Sequence, residues 1–256
     1  MIDIHAHIIP GIDDGSADMN ESLHMAEIAI ESGVDAIVCT PHSNLDRRQL
    51  NYWDEELAGR LAELNEEVQH LDSYERRPLK LIPGMEIFGT EDTADLIRDG
   101  KLIGLNFTDN YLIEFGFGRG DTYMTRILNK MLSAGVKPIV AHPERYACVQ
   151  DDSDVAKLWV EMGCRLQVNK GSLFGRFGRS VWRTAGELLE EDLVSFVASD
   201  AHGPFQRTTK LQDAWDFLFD EFSPEMADAL LTENQLDMLR EPRGKYAPEG
   251  CMPIEI

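Results

Sequence analysis

Seven short apolar runs dominate this sequence, and stretches with helical periodicity separate them. The runs, which we predict to be β-strands, cover residues 2–8, 36–42, 80–87, 111–115, 138–142, 165–170 and 194–200. Strands that alternate with helices usually form a parallel sheet, because each helix carries the chain back to the start of the next strand. The alternation therefore predicts an α/β fold.

The helical stretches carry apolar residues every three or four positions, the spacing of a helix that packs one face on a sheet. Three such stripes are Trp53, Leu57, Leu61, Leu64, Val68 and Leu71; Val155, Leu158, Trp159 and Met162; and Leu211, Ala214, Trp215, Leu218 and Phe219. Glycines at Ser32-Gly33 and Ala134-Gly135 predict helix ends shortly before the next strand. The helices are thus expected to cover the strands.

Seven strand–helix units in one chain fit a closed barrel better than an open sheet. An open doubly wound sheet would show the same alternation, but no G-x-G-x-x-G motif follows the first strand to favour it. A chain of 256 residues suits one large domain. We predict a single barrel domain at 1–240 and a loosely held extension at 241–256, which is rich in Pro and Gly.

The chain is strongly acidic, with a formal net charge of -22 from 46 acidic and 24 basic side chains. This charge repels nucleic acid and anionic lipid, so neither is an expected partner. No apolar run reaches the roughly 18 residues of a membrane span, so direct membrane insertion is not expected.

The four cysteines show no C-x-x-C spacing, and the first ten residues do not resemble a signal peptide. We therefore expect a cytoplasmic protein. Cys39 and Cys164 lie within or beside apolar strands, which predicts buried structural thiols rather than metal ligands or nucleophiles.

Polar side chains gather where the predicted strands end, the position at which barrel enzymes carry their chemistry. His5 and His7 leave the first strand on the same side, because side chains alternate along a strand. The other strand ends carry His42, Glu86, Glu114, His142, Asp200 and His202.

A single histidine or carboxylate at a strand end is usually structural, but here five of the seven histidines meet at one face. Burying so many imidazoles and carboxylates without a metal would be costly. Nitrogen and oxygen ligands without thiolate suit Mn²⁺, Fe²⁺, Zn²⁺ or Mg²⁺ and argue against copper or iron–sulfur chemistry. The remaining histidines, His24 and His70, lie in charged helical stretches and are expected at the surface.

Several motifs in order resemble the PHP (polymerase and histidinol phosphatase) superfamily, and within it the bacterial protein-tyrosine phosphatases of capsule and exopolysaccharide operons. The motifs are IDIHAHIIPGIDDG, TPH, PGMEI, LIEF, HPERY, NKGSLFGRFG and SDAH. The similarity runs from residue 1 to about residue 231. It implies a distorted seven-stranded, (β/α)7 TIM-like barrel that holds three divalent metal ions, with Mn²⁺ the first expectation.

The resemblance also implies which residues bind each ion. The first ion would take His5, His7, Glu86 and Asp200. The second would share Glu86 and add Glu114 and His142, and the third would take Asp14, His42 and His202.

Arg145 and Arg207 match the phosphate-binding positions of the family, and His42 is counted with them among the catalytic residues. Three divalent ions and two arginines would outweigh the four carboxylates of the site, so a phosphomonoester would be attracted locally despite the acidic chain. The implied substrate is a phosphotyrosine protein, the tyrosine-rich tail of a bacterial tyrosine kinase.

Alternatives remain at this stage. A phosphatase for a small metabolite such as histidinol phosphate or a nucleotide would share the metal core. An amidohydrolase-like barrel also begins with H-x-H, but usually needs a lysine where Glu114 stands. A metal-binding regulatory protein without catalysis would not need both arginines.

Two segments near the predicted site are open to more than one interpretation. The Gly-rich segment 169–178 lacks the P-loop order, so we interpret it as a mouth loop in which Arg176 and Arg179 could contact substrate. Four phenylalanines near the site could hold an aromatic ring, or could simply be packing residues: Phe115, Phe117, Phe174 and Phe177.

Overall fold

The computed structural model describes residues 1–45 and 50–256. Its strands are β1 (Ile2–Ala6), β2 (Ala36–Cys39), β3 (His42–Ser43), β4 (Lys80–Pro83), β5 (Glu86–Phe88), β6 (Asn110–Glu114), β7 (Lys137–Ala141), β8 (Arg165–Asn169) and β9 (Phe196–Ala198).

The helices lie between and after these strands. They are α1 (Met19–Glu31), α2 (Glu55–Val68), α3 (Asp72–Arg76), α4 (Thr93–Arg98), α5 (Asp121–Ser133), α6 (Ala147–Asp151), α7 (Asp154–Glu161), α8 (Lys170–Leu173), α9 (Arg179–Glu190), α10 (Gln212–Glu221), α11 (Pro224–Asp228) and α12 (Asn234–Leu239). A π-helical turn at Ala229–Glu233 joins α11 to α12.

Two of the seven predicted strands are each interrupted. The predicted strand 36–42 is split into β2 and β3, and the predicted strand 80–87 into β4 and β5. Pro41 has no N–H to give to a ladder, which explains the first break. At the second break a Cβ on Gly84 would lie 2.6 Å from Val38 Cγ1, so only glycine fits between the two strands.

The strands form two parallel sheets that together complete a barrel. One sheet has the order β1-β2-β4 and the other β3-β5-β6-β7-β8-β9. A parallel bridge between Ala6 and Ala201 joins the first strand to the end of the last, and His7 N donates to Ala201 O at 2.9 Å. The prediction of a distorted seven-stranded α/β barrel is confirmed.

Apolar side chains pack in two clusters on the two sides of the strands. The inner cluster contains Ile4, Ile139 and Phe196, whereas Ala6 belongs to the outer cluster that the helices cover. Strict alternation would place Ile4 and Ala6 together, but the pairing of β1 with β2 shifts register between Asp3 and Ala6. The shift re-aims the end of β1, which carries His5 and His7.

The helices use the predicted apolar stripes. In α2 the buried residues are Leu57, Leu61, Leu64 and Val68. The prediction of the helix ends is confirmed as well, because α1 and α5 stop just before Gly33 and Gly135, each with a φ of 84°. Leu158 and Phe219 were assigned to apolar stripes but are exposed by 45% and 42%.

The segment after residue 240 is held against the barrel by specific hydrogen bonds. Gly244 N donates to Phe107 O at 2.8 Å, and Ile254 N donates to Asn106 Oδ1 at 2.8 Å. Glu241 pairs with Lys137 at 2.8 Å. The expectation of a loosely held tail is therefore wrong, because backbone donors in the tail find acceptors on the barrel. The domain boundary at residue 240 stays a prediction.

Within residues 1–45 and 50–256, no helix combines the length and the apolar character that crossing a membrane requires.

Candidate metal centre

A cleft of about 220 Å³ opens at the carboxyl ends of the strands. It is lined by Asp14, His42, Leu45, Glu86, Glu114, Phe117, His142, Arg145, Asp200, His202 and Arg207. His5 and His7 lie fully buried beneath it. The structure thus brings all nine predicted metal ligands and both predicted arginines to one place.

The four residues predicted to bind the first ion converge closely. His5 Nε2 lies 3.2 Å from Glu86 Oε2 and 3.5 Å from Asp200 Oδ1. His7 Nε2 lies 3.1 Å and 3.6 Å from the same two oxygens. Two imidazole nitrogens and two carboxylate oxygens facing one another form a donor set that suits a divalent ion.

The residues predicted for the second ion are arranged differently. His142 Nε2 lies 2.9 Å from Glu86 Oε1, as a shared ion would require. Glu114 Oε1, however, lies 2.9 Å from His42 Nδ1, and the compact donor group at this point is His42, Glu86 and Glu114. The assignment of each ligand to an individual ion therefore stays a prediction.

The residues predicted for the third ion lie at the rim. Asp14 Oδ1 is 3.4 Å from His42 Nε2 and 3.6 Å from His202 Nε2. His7 completes this group, so it borders two of the three donor groups. Because His42 also belongs to two groups, the three groups form one continuous cluster.

Buried atoms without hydrogen bonds support a metal-binding role. Glu86 Oε2, Glu114 Oε1 and His42 Nδ1 are buried, and none has a hydrogen-bond partner among the described residues. His42 Nδ1 lies 3.0 Å and 2.9 Å from the two oxygens, but without hydrogen-bonding angles. Orphaned buried groups are costly unless something else satisfies them. These lone pairs are placed as ligands to a cation would be, so the residues fit a divalent metal.

Electrostatic coupling in the cluster is strong. Burial alone would raise the pKa of Glu86, but the charges of His5 and His42 and a hydrogen bond from His142 hold it well below its usual value. Burial likewise opposes ionisation of Asp200, and His5 and Arg207 lower its pKa. Both carboxylates are therefore kept in the charged form that binds metal.

Asp13, which the sequence analysis did not single out, supports His7. Its Oδ2 lies 2.7 Å from His7 Nδ1 and also accepts from His42 N at 2.8 Å. Burial disfavours the imidazolium of His7, but the Asp13 carboxylate raises the pKa of His7 to about 10. A carboxylate behind a ligating histidine fixes its tautomer and orientation. The double aspartate of the DDG motif was the signal for it.

Gly15, the glycine of the DDG motif, lies where no side chain would fit. A Cβ on Gly15 would lie 2.3 Å from His7 O and 2.4 Å from His7 Cβ. Only glycine lets the loop that carries Asp13 and Asp14 pass this close to the end of β1.

Two buried amides and one buried carboxylate form a second group that sequence reasoning missed. Gln167 Oε1 lies 2.8 Å from His5 Nδ1, and Asn169 Nδ2 donates to Asp200 Oδ2 at 2.6 Å. Glu144 Oε1 accepts from Asn169 N at 3.0 Å and from Ser172 Oγ at 2.6 Å. Polar residues at alternate positions of the apolar strand β8 could have revealed the amides.

The predicted phosphate-binding arginines both contact Asp200. Arg207 Nη2 lies 2.5 Å and Arg145 Nη1 3.5 Å from Asp200 Oδ2. Both guanidinium groups line the cleft and keep part of their surface exposed. They can therefore offer N–H donors to an anion that enters.

Three residues of the cleft have left-handed backbones although none is glycine. The φ angles of His142, Asp200 and Arg207 are 36°, 49° and 48°. Such conformations cost about 1 kcal/mol or more each and concentrate at functional sites. His142 and Asp200 turn the chain just after β7 and β9 end, whereas Arg207 lies in the loop that follows β9, and all three side chains line the cleft.

The four phenylalanines of the mouth have different roles. Phe117 lines the cleft and Phe177 packs against Arg145. Phe115 is buried in the core, and Phe174 packs against Phe217 outside the cleft. Arg176 and Arg179 are exposed, and neither lines the cleft as the described residues define it.

The predictions for residues outside the site are confirmed. Cys39 and Cys164 are buried free thiols, and burial raises the pKa of Cys164 to about 12. His24 in α1 and His70 in the turn after α2 are both exposed, and neither is among the described residues that line the cleft.

Barrel and cleft together define an α/β-barrel enzyme with a histidine- and carboxylate-rich centre. Residues 1–240 match the family described as capsular polysaccharide synthesis, CpsB/CapC. The chain belongs to this family.

Two relatives are similar over almost their whole length. The tyrosine-protein phosphatase YwqE of Bacillus subtilis is 36% identical over 242 residues, which cover 94% of this chain and 92% of the relative. The tyrosine-protein phosphatase CpsB of Streptococcus agalactiae is 31% identical over 245 residues, which cover 94% and 98%.

Solved structures agree with the family. One match comes from crystal structures of YwqE from Bacillus subtilis and CpsB from Streptococcus pneumoniae, described as unique metal-dependent tyrosine phosphatases. Its TM-score is 0.82 and its identity 31%, and the match covers 100% of both chains. A lactonase from Listeria monocytogenes matches with a TM-score of 0.53 at 13% identity, covering 91% of this chain and 92% of the lactonase, a likeness of fold alone. The recognition of a PHP-type phosphatase of the capsule type is confirmed.

Proposed function

We propose that this protein is a metal-dependent phosphomonoester hydrolase that removes phosphate from phosphotyrosine in proteins of capsule or exopolysaccharide synthesis. The observation that carries the proposal is the cleft, in which seven of the nine predicted histidine and carboxylate ligands face two arginines, with His5 and His7 directly beneath. The names of the relatives, tyrosine-protein phosphatases from two genera, support the choice of phosphotyrosine.

The metal complement is three divalent ions, with Mn²⁺ the first choice. The three donor groups around His7, Glu86 and His42 support this number. The ligands would be His5, His7, Asp14, His42, Glu86, Glu114, His142, Asp200 and His202. Bound there, divalent ions would supply positive charge to polarise the phosphoryl group and lower the pKa of a water molecule to near 7.

The arginines account for phosphate binding by a chain of net charge -22. Arg145 and Arg207 donate N–H groups to the phosphoryl oxygens and stabilise the charge that develops on them in the transition state. His42 belongs to two donor groups, so it would help to position the ions of both groups against the phosphate. These are the groups of the chain that we assign to catalysis.

The leaving group favours phosphotyrosine on chemical grounds. A phenol has a pKa of about 10 and departs more readily than the alkoxide of serine, so it needs less help from a general acid. Phe117 is 44% exposed at the cleft and offers a ring face to the tyrosyl group.

The partner is the tyrosine-rich tail of a bacterial tyrosine kinase, because a flexible tail can bring a phosphorylated side chain to the cleft. We place the protein in the cytoplasm, since its four cysteines are free thiols, as a reducing compartment maintains them.

The experiment measures kcat/KM of the metal-loaded enzyme on matched phosphotyrosine and phosphoserine peptides and on histidinol phosphate. The phosphotyrosine peptide is expected to be the best substrate. Histidinol phosphate as a tenfold better substrate would move the protein to the metabolite phosphatases. Elemental analysis during reconstitution tests the metals separately, and saturation at one ion per chain would contradict the three-ion proposal.

A further inference from the structure

Behind the cleft, a chain of three hydrogen bonds connects His5 to Asp200 through two amides of β8. His5 Nδ1 lies 2.8 Å from Gln167 Oε1, and Gln167 Nε2 donates to Asn169 Oδ1 at 2.9 Å. Asn169 Nδ2 donates to Asp200 Oδ2 at 2.6 Å. All four side chains are almost fully buried, at 2% exposure or less. Water therefore cannot substitute freely for a lost partner.

The chemistry of the four side chains determines which group donates and which accepts in each of these hydrogen bonds. The Asp200 carboxylate, which also pairs with Arg207, only accepts hydrogen bonds, so Asn169 must present its NH₂ group to it. Asn169 Oδ1 is then left to accept from Gln167 Nε2. Gln167 Oε1 is in turn left as an acceptor, and only a protonated Nδ1 of His5 can donate to it.

We propose that Gln167 and Asn169 are positioning residues that fix two metal ligands together. They hold His5 in the Nδ1–H tautomer, with the Nε2 lone pair facing the cleft. They also hold Asp200 by its Oδ2, so that Oδ1 faces His5 and His7. The inference rests on the proposed function in one respect, namely that His5 and Asp200 bind the same ion.

The geometry of the cleft agrees with this role. His5 Nε2 and Asp200 Oδ1 take no part in the hydrogen bonds to the amides, and they lie 3.5 Å apart. His5 Nε2 also faces Glu86, and Asp200 Oδ1 also faces His7. Outer partners of this kind typically account for about 10- to 100-fold in metal affinity. One connected chain also predicts that the two amides act as a unit.

The end of β8 is itself anchored. Asn169 N donates to the buried Glu144 at 3.0 Å, and Ser172 Oγ donates to the same oxygen at 2.6 Å. Glu144 follows His142, which is another predicted ligand. The backbone that carries the amides is therefore tied to the turn after β7 that carries His142.

The test uses the full chain with Gln167→Met and Asn169→Leu, which keep approximate size but remove the hydrogen bonds. Gln235→Met is the matched control, because Gln235 is also fully buried but donates to Leu230 O, outside the cleft. Gln167→Glu is a conservative variant that keeps an acceptor for His5. The affinity for Mn²⁺ is measured by competition with a chelator, and the tautomer of His5 by ¹⁵N NMR of the metal-free protein.

We expect each amide variant to weaken one Mn²⁺ site by about 10- to 100-fold and to leave the other sites close to wild type. The variant that combines Gln167→Met with Asn169→Leu should bind Mn²⁺ at this site about as weakly as the weaker-binding of the two single variants. Gln167→Met should lose the Nδ1–H signal of His5, and Gln167→Glu should keep it. Gln235→Met should lower thermal stability without changing metal affinity.

Unchanged Mn²⁺ affinity in folded Gln167→Met and Asn169→Leu would overturn the proposal. An equal loss in Gln235→Met would also overturn it, since the effect would then be general destabilisation. None of these readouts uses a substrate, so the result is independent of whether phosphotyrosine is the preferred phosphoester.

Discussion

The guanidinium carbon of Arg145 lies 4.4 Å from the centre of the Phe177 ring, and 4.2 Å from that of Phe117 on another loop. Two aromatic faces thus hold the plane of a guanidinium group at the mouth of the cleft. Phe177 belongs to the Gly-rich segment, so this segment contacts the Arg145 side chain that lines the cleft, and it does not act as a phosphate-binding loop.

Phe177→Leu is expected to lower kcat/KM for phosphotyrosine peptides by roughly two- to fivefold, because a cation–π contact contributes about 0.5–1 kcal/mol. Phe174→Leu is the matched control, since Phe174 lies on the same loop but packs against Phe217. Steady-state kinetics of both variants decide the question. Equal losses would show that the loop acts through its general conformation.

Removing either arginine should damage catalysis without removing metal. Arg145→Ala and Arg207→Ala are each expected to lower kcat/KM by about 10²-fold, roughly 3 kcal/mol of transition-state stabilisation. Metal content is measured on the same samples. Loss of metal in step with activity would mean that the arginines serve mainly to hold Asp200, which both contact.

Asp13→Asn should weaken metal binding without abolishing a site. The amide is a poorer acceptor for His7 Nδ1–H than the carboxylate 2.7 Å away, so affinity should fall by about 10- to 100-fold. Asp14→Asn, next to it, removes a predicted ligand and should instead reduce the number of ions bound at saturation. Titrations of the metal-free protein distinguish the two patterns.

Glu241 should stabilise the fold in a pH-dependent way. Burial opposes its ionisation, but hydrogen bonds from Lys137 and Asn110 lower its pKa below the unfolded value. A lowered folded pKa stabilises the protein above the unfolded pKa of about 4.3, and the contribution is lost as the pH falls through the folded value.

Glu241→Gln is therefore expected to lower the free energy of unfolding by about 1 kcal/mol at pH 7. At a pH below the folded pKa, variant and wild type should be nearly equal. Urea unfolding of the metal-free protein at both pH values measures this. A constant difference would indicate that the effect is packing rather than charge.

No cysteine is expected to act as the nucleophile. Burial raises the pKa of Cys39, Cys148 and Cys164, which disfavours thiolates, and none of the four cysteines lines the cleft as described. Chelators should abolish activity, whereas iodoacetamide should leave a folded enzyme largely active. The reverse pattern would contradict a metal-dependent mechanism.

The sequence by itself determined the seven strand positions and the types of side chain, the candidate metal ligands, that meet where the strands end. Apolar runs alternate with helical stripes, and parallel strands in a barrel bring their carboxyl ends together. His5, His142 and Asp200 could therefore be predicted to share one face although more than 190 residues separate the first from the last.

Only the tertiary structure decided how the strands are interrupted and what supports the ligands. The break near Gly84 and the register shift in β1 depend on how neighbouring strands fit. Local patterns do not record that fit. The same limit applied to the four phenylalanines, which are alike in sequence but separate into core, cleft and outer surface.

The buried partners of the ligands show the physical reason. Gln167 lies 162 positions from His5, and Asn169 lies 31 from Asp200. Such contacts form because burial leaves a ring nitrogen or a carboxylate oxygen in need of a partner. Which side chain supplies that partner depends on the register of β8 against its neighbour β9 and on the position of β1 beyond it, and both are set only when the strands assemble.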